Sequence, residues 1–421
     1  MRNVAVDGPR LWATIHETAR IGATPKGGVR RLTLTDLDRQ ARDWFVEQVR
    51  ALGCEVMVDD LGNIFATRAG RNPALPPIAI GSHLDTQPTG GKYDGIIGVL
   101  GGLEVLRTLH DLSITTEHPI AVIDWTNEEG SRFAPAMLAS GVYAGAFDRA
   151  FADSRTDRDG VTFGAALDAI GYRGTEACGA RKLAAHFELH IEQGPILEAE
   201  GATIGVVTGV QGMRWFEVTL HGSDAHAGST PMPMRRDALV AAARIVSAVR
   251  GIALDHAPDA VSTVGLIEAR PNSRNVIPGE VFLTVDMRHP DDAVLAAMEA
   301  RLREAVDDAA EHERVHAVVT PVWNNPAVRF DAGCVQSVRA MAEALGLPAR
   351  DIVSGAGHDS AYVARVAPTT MIFVPCAGGL SHNEAESATE ADVVAGANVL
   401  LRAVLDTDQR LFERKRADAR R

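Results

Sequence analysis

Two short runs, residues 76–86 (PPIAIGSHLDT) and 119–129 (PIAVIDWTNEE), hold unbroken apolar cores and turn polar only at their ends. A strand with one wet face alternates polar and apolar residues; a strand without alternation is covered on both faces, as in the centre of a parallel α/β sheet. Between them, residues 94–112 (DGIIGVLGGLEVLRTLHDL) predict a helix, which completes a strand-helix-strand unit. Upstream, residues 37–53 read as an amphipathic helix ended by Gly53, and residues 54–70 as a hairpin turning at Leu61, Gly62 and Asn63. Chemistry in open α/β sheets collects at the carboxyl ends of the strands. His83 and the adjacent pair Glu128 and Glu129 fall at such ends.

The pattern changes after residue 211. Strand WFEVTLHG, helix 237–254, strands 260–269 and 279–289, helix 291–313 and strand VHAVVTPVW follow in the order β-α-β-β-α-β. That order is the ferredoxin-like split motif, two helices on one sheet. Beyond it a helix over 334–346, the strand TMIFVP and a helix from Glu390 to Leu405 restore the first pattern. The expected fold is therefore α/β: a discontinuous catalytic domain of residues 1–211 and 324–421, with a mixed sheet flanked by helices, and an inserted domain of residues 212–323. A chain of 421 residues is long enough for both.

Composition narrows the partners. Lys and Arg total 42 against 55 Asp and Glu, a formal charge of −13, so a phosphate backbone is repelled and nucleic acid is not an expected partner. With 46% apolar and 23% charged residues, and no apolar run near the roughly 18 residues that span a bilayer, no membrane association is expected. The N-terminal MRNVAVDGPRLW lacks the apolar stretch of a signal peptide. Cys54, Cys178, Cys334 and Cys376 are scattered without a CxxC pair, so neither a zinc-thiolate site nor a disulfide framework is indicated, and a cytoplasmic location is expected. The charged tail ERKRADARR is expected to fray.

Two glutamates side by side at a buried strand end raise each other's pKa, and desolvation penalises both. The commoner fate of such a pair is a solvated cap on the next helix, and the neighbouring residues decide between that and a site. His83 in GSHLDT, Asp94 in GGKYDG, Glu129 in TNEEG, His190 in ELHIEQGP and His382 in GGLSHNEAE supply the imidazole and carboxylate donors that divalent ions take. A site for two ions roughly 3.5–4 Å apart needs one bridging carboxylate among them. Any one of these residues alone reads as a hydrogen-bonded structural group.

The ordered set GSHLDTQPTGGKYDG, TNEEGSRFAPAM, HIEQGP, DAHAGSTPM, SRNVIPGE, SGAGHD and SHNEAE resembles the N-carbamoyl-L-amino-acid hydrolase group, together with the β-ureidopropionases and allantoate amidohydrolases, within the di-zinc peptidase and amidohydrolase superfamily. The likeness runs from about residue 10 to 405. It implies two divalent ions per subunit, zinc or else manganese, cobalt or nickel. His83, Asp94 and His190 would hold one ion, and Asp94, Glu129 and His382 the other. Asp85 would orient the His83 imidazole, and Glu128, left free, would serve as general base on the attacking water.

The same resemblance implies a substrate that is a small ureido carboxylate, its C–N bond hydrolysed to free amino acid, carbon dioxide and ammonia. Arg288 in DMRHP would grip the carboxylate, since a guanidinium offers two parallel hydrogen bonds. Gln193 would assist. Asn275 and His226 would reach the substrate from the neighbouring subunit of a homodimer formed through the inserted domain, with His226 also stabilising the oxyanion. His358 is a further candidate for lining the site. Substrate binding would draw Arg288 toward the metals. Alternatives within the group are a β-ureidopropionase acting on N-carbamoyl-β-alanine and an allantoate amidohydrolase; a superfamily peptidase is opposed by the histidine of HIEQGP. Outside it stands a non-catalytic metal-dependent binding protein, which would have no use for Glu128.

Overall fold

The computed structural model describes residues 4–418, which fall into two compact units, 4–208 with 329–418, and Gly209–Val328. The chain lays down β1 (Glu55–Val58), β2 (Ile64–Arg68), β3 (Ile78–Ser82), β4 (Ile120–Asp124), β5 (Ala185–Ile191) and β6 (Ile204–Val210). It continues with β7 (Gly212–His221), β8 (Ala225–His226), β9 (Val261–Arg270), β10 (Val276–Ile277), β11 (Glu280–His289) and β12 (His316–Asn325). Last come β13 (Val328–Arg329), β14 (Ala349–Ser354) and β15 (Thr369–Val374).

In the larger unit a nine-stranded mixed sheet runs β1-β2-β4-β3-β5-β15-β6-β13, with β14 on β6. β4, β3, β5 and β15 are parallel to their neighbours in that series, and all four are buried along their whole length. Their lack of alternation follows from that double cover. β1 and β2 form the expected hairpin, antiparallel with Val58 opposite Ile64. Because the four central strands point the same way, the segments leaving β3, β4 and β15 and the end of β5 share one edge of the sheet. That edge positions the site.

The smaller unit is a four-stranded antiparallel sheet in the order β12-β7-β11-β9, with helices Ala238–Asp255 and Asp292–Glu313 packed on it. β11 alternates strictly, turning Val281, Leu283, Val285 and Met287 into a core shared with Ile245, Val249, Met298 and Leu302. This is the βαββαβ arrangement read from the sequence. Its outer limits lie a few residues beyond the change of periodicity on either side.

The C-terminal end departs from expectation. Instead of stopping near Leu405 and fraying, the last helix spans Glu390–Asp418. Pairs one turn apart support the extension: Arg410 Nε donates to Asp406 Oδ2 at 3.0 Å and Gln409 Nε2 to Glu413 Oε1 at 2.9 Å. Residues 419–421 of the tail lie outside the described residues. Among the described residues no helix is long and apolar enough to cross a membrane, and all four cysteines are free.

Candidate metal centre

His83 is the first residue after β3, His190 the penultimate residue of β5, and Glu128 and Glu129 follow β4 after a short turn. The turn is made by Asn127, whose φ of 61° lies in the left-handed region that asparagine tolerates. Its side-chain amide donates to Phe133 O at 2.8 Å and fixes the bend. Gly95, with φ 69°, caps the helix Ile96–Asp111 just after Asp94, and a Cβ there would fall on the His83 ring. Gln193 and His382, at φ 57° and 55°, are also left-handed. Three non-glycine residues in the left-handed region thus gather around one group of side chains.

Donor atoms converge in two clusters that share Asp94. His83, Asp94 and His190 form one and Asp94, Glu129 and His382 the other, with the ligand atoms of each within 4.8 Å of one another. His190 Nε2 lies 3.1 Å and His83 Nε2 3.9 Å from Asp94 Oδ1. On the other side His382 Nε2 is 3.4 Å from Asp94 Oδ2 and 3.7 Å from Glu129 Oε2. Glu128 belongs to neither cluster; its Oε2 stands 3.5 Å from His83 Nε2.

The hydrogen bonds behind the rings decide which nitrogen faces inward. His83 Nδ1 lies 2.9 Å from the carbonyl of Asp85, and His190 Nδ1 2.9 Å from the carbonyl of Ile191. A carbonyl only accepts, so each Nδ1 donates to it and each Nε2 is the nitrogen that faces Asp94. For Asp85 this is a departure from expectation: the backbone carbonyl orients His83, while the carboxylate stands 3.7 Å away. That carboxylate instead accepts the backbone N–H groups of Glu128 and Glu129, at 3.3 and 3.4 Å, and so holds the glutamate pair.

An imidazole nitrogen facing a carboxylate oxygen is held there by a proton or by a metal cation, and the two clusters offer donor sets for the second. Burial pushes Glu128 and Glu129 well above the usual carboxyl range, reinforced by Asp359 at the first and Asp94 at the second. Burial raises Asp85 to about 8 and lowers His83 to about 4, leaving that imidazole neutral and able to ligate. For His190 burial acts downward, but the hydrogen bond and charge of Asp94 outweigh it and hold the ring at about 9. The Gly95 N–H, 3.1 Å from the same Nε2, needs a lone pair there rather than a proton. A divalent ion facing both Asp94 and His190 would take that lone pair and stand in place of the proton between ring and carboxylate. The imidazole and carboxylate set fits zinc, manganese, cobalt or nickel alike.

The remaining predicted residues are distributed as follows. Gln193 Nε2 donates to Asp94 Oδ2 at 2.9 Å. His358 is buried, with Nε2 3.0 Å from Ser354 Oγ and its ring edge-on to His190 at 4.6 Å; burial, aided by the charge of His190, holds its pKa well below the usual value. With Glu188 it also flanks His190, but Glu188 is held by Ser82 and Ser360 at 2.9 and 2.7 Å.

In the smaller unit, His226 lies on β8 and Asn275 immediately precedes β10, and the pairing of those strands, Val276 opposite His226, brings the two together. His226 Nδ1 accepts the N–H groups of Gly228 and Ser229 at 3.1 and 3.2 Å, so its proton is on Nε2, exposed and ready to donate. Arg288, near the far end of β11, holds Asp286 through Nε and Nη2, at 3.1 and 2.8 Å to Oδ2.

Sequence reasoning missed several supporting residues. Gln87 donates to Glu129 Oε2 at 2.6 Å, and Ser381 to Asp94 Oδ2 at 2.8 Å. Behind them Arg42, fully buried, donates to Asp38 Oδ2 at 2.9 Å and to Gly62 O at 2.8 Å, and lies 3.3 Å from Asp124 Oδ2. Asp124 Oδ1 in turn takes the N–H of Leu84, between His83 and Asp85. Ser381 and Glu386 were within reach of inspection, since both sit in SHNEAE beside His382; Arg42 carries no local signal.

A mixed sheet whose parallel central strands present paired imidazole and carboxylate clusters at their carboxyl ends is the framework of a metallohydrolase. The chain belongs to the peptidase family M20/M25/M40, whose family model matches residues 79–406. Several of its relatives are N-carbamoyl-L-amino-acid amidohydrolases. It is 52% identical over 405 residues to an N-carbamoyl-L-amino-acid amidohydrolase of Rhizobium meliloti, covering 96% of this chain and 97% of that protein. A protein of the same description from Paenarthrobacter aurescens is 39% identical over 404 residues, 95% and 98% of the two chains. Among solved structures, an amidase of the hydantoinase/carbamoylase family from Burkholderia multivorans superposes with a TM-score of 0.94 at 59% identity, covering 96% of this chain and 98% of that one.

Proposed function

We infer that this protein hydrolyses the ureido C–N bond of N-carbamoyl-L-amino acids, releasing the free amino acid, carbon dioxide and ammonia. The observation that carries this reading is the likeness, along almost the entire chain, to an N-carbamoyl-L-amino-acid amidohydrolase. A ureido carbonyl is resonance-stabilised and a poor electrophile, so its hydrolysis needs an activated nucleophile, a polarised carbonyl and a protonated leaving nitrogen. Two divalent ions, held by His83, Asp94 and His190 and by Asp94, Glu129 and His382, would supply Lewis acidity for the first two. Glu128 accepts the proton of the attacking water and returns it to the departing nitrogen. Being outside both donor clusters, it is the carboxylate with a free oxygen for that task.

The inserted domain supplies the grip on the substrate. Arg288 binds the carboxylate, its fork pre-oriented by Asp286. His226 Nε2–H stabilises the tetrahedral oxyanion, with Asn275 beside it, and Gln193 and His358 line the catalytic side. One feature supports the assignment of His226 and Asn275 to the partner subunit. The strand pair that carries them joins β11 at the Glu280 end, whereas Arg288 is eight residues further along that strand, about 27 Å at strand spacing. The pair is a two-stranded sheet of its own, separate from the four-stranded sheet that holds Arg288, and most of the length of β11 lies between its point of attachment and Arg288. Dimerisation through the same domain is supported by the edge strand β9, with Leu266 and Ile267 exposed, and by Val240 and Leu254 exposed on helix Ala238–Asp255.

Ammonia release measured in parallel from N-carbamoyl-L-α-amino acids, N-carbamoyl-β-alanine and allantoate, with zinc, manganese, cobalt or nickel restored to chelated enzyme, tests the reading. The α-carbamoyl compounds are expected to have the highest kcat/KM; preference for either of the others, or full turnover after exhaustive chelation, would overturn it. The shared site makes a separate prediction. Glu128→Gln and His226→Ala homodimers should each be nearly inactive, and mixing them with subunit exchange should restore activity, because one hybrid site receives both intact groups. No recovery despite demonstrated exchange would assign His226 to its own chain.

A further inference from the structure

We infer that Glu386 is a positioning residue for Asp94, a buried clamp that sets the orientation of the carboxylate common to both donor clusters. Its side chain is 5% exposed and works entirely as an acceptor toward the turn before helix Ile96–Asp111. Oε1 takes the backbone N–H of Tyr93 at 3.0 Å and that of Asp94 at 3.1 Å. Oε2 lies 3.3 Å from Ser381 Oγ, and the same hydroxyl is 2.8 Å from Asp94 Oδ2. A hydroxyl has one proton to give, and the shorter contact directs it to Asp94. Glu386 therefore holds Asp94 through the backbone N–H, while Ser381, which precedes His382, holds the Asp94 carboxylate from its other end.

Gly91 confirms that the turn is shaped around this carboxylate. A Cβ at position 91 would overlap the Glu386 carboxyl group and stand 2.5 Å from its Cβ, so only glycine admits the clamp. On its other side the turn is backed by Tyr93 stacked on Trp12, ring centres 5.8 Å apart at 22°. The segment is thereby fixed from two directions, and what it presents is Asp94, with Oδ1 toward His190 and Oδ2 toward His382. Groups that orient a ligand carboxylate contribute to metal affinity about 10–100-fold. Acceptor geometry, not negative charge, is the property this arrangement uses.

This inference rests on the reading that divalent ions bind at Asp94, so its test is ion binding rather than turnover. Metal-free wild type, Glu386→Ala, Glu386→Gln and Gly91→Ala would be titrated with Co2+, following uptake by calorimetry and by the visible spectrum of bound cobalt, with thermal unfolding of the metal-free forms as the check on folding. Glu386→Ala is expected to bind Co2+ at least tenfold more weakly with an altered spectrum. Glu386→Gln keeps an acceptor for both N–H groups and is expected to stay within about threefold of wild type, a rescue that a general charge effect would not give. Gly91→Ala displaces the clamp with its carboxyl intact and is expected to resemble Glu386→Ala; if the alanine variant at 386 does not fold, this one and the glutamine variant decide. Unchanged affinity and spectrum in Glu386→Ala, or a loss in Glu386→Gln as large as in Glu386→Ala, would overturn the clamp while leaving the functional reading intact. Absence of Co2+ uptake by wild type would overturn both.

Discussion

Glu128→Gln is expected to lower kcat by about two to four orders of magnitude, the range over which a positioned general base contributes, while bound metal stays at the wild-type level. The substitution is isosteric and removes only the capacity to take a proton. Neither donor cluster contains Glu128, so the ligands are untouched. Its backbone is anchored independently: the N–H donates to Asp85 Oδ1 at 3.3 Å and the carbonyl accepts from Met137 at 2.6 Å. The neighbouring Glu129→Gln should behave differently, losing metal along with activity, because Glu129 faces His382 and Asp94. Steady-state rates beside metal analysis separate the two. A Glu128→Gln enzyme with more than a few per cent of wild-type kcat would remove Glu128 from the base role.

Arg42→Met is expected to destabilise the metal-free protein by about 3–5 kcal/mol, the usual cost of removing one partner from a buried ionic cluster. Asp38 and Asp124 are as fully buried as Arg42, and without its guanidinium both would be left without that counter-charge. Burial already raises the Asp124 carboxyl to about 7, and Arg42 is the main opposing influence. The loss should be smaller if Asp38→Asn and Asp124→Asn are added, since a cluster neutralised as a whole leaves no orphaned charge. Denaturant unfolding of the variants measures this directly. A loss under about 1 kcal/mol for Arg42→Met alone, the level of an exposed ion pair, would show that the cluster is not holding the sheet edge.

Legibility in the sequence followed the range of the interactions. The buried strands β3 and β4, the hairpin β1-β2 and the βαββαβ order were readable because each depends on residues a few positions apart: absence of alternation, a glycine turn, a switch of period from 2 to 3.6. The last helix was read short because Leu405 ends its apolar stripe, while the extension to Asp418 rests on polar pairs that leave no apolar trace. The donor residues were legible as residue types beside glycines at strand ends. Their supporting contacts were not: Glu386 holds Asp94 from nearly three hundred positions away, and Arg42 reaches Asp124 across eighty-two.

Local chemistry, then, was the sequence's to determine: which segments must be buried, which carry imidazole or carboxylate, and that two adjacent glutamates stand at a strand end. Tertiary structure alone decided that β4, β3, β5 and β15 run parallel, so that groups from four distant segments meet at one edge. It also decided that left-handed turns at Asn127, Gln193 and His382 aim side chains inward, that Asp85 works on His83 through its carbonyl, and that Glu128 is left outside both donor clusters. The reason is physical: propensity and periodicity act over a few residues, whereas a metal centre is defined by angstrom-scale distances between atoms that only the completed fold brings together.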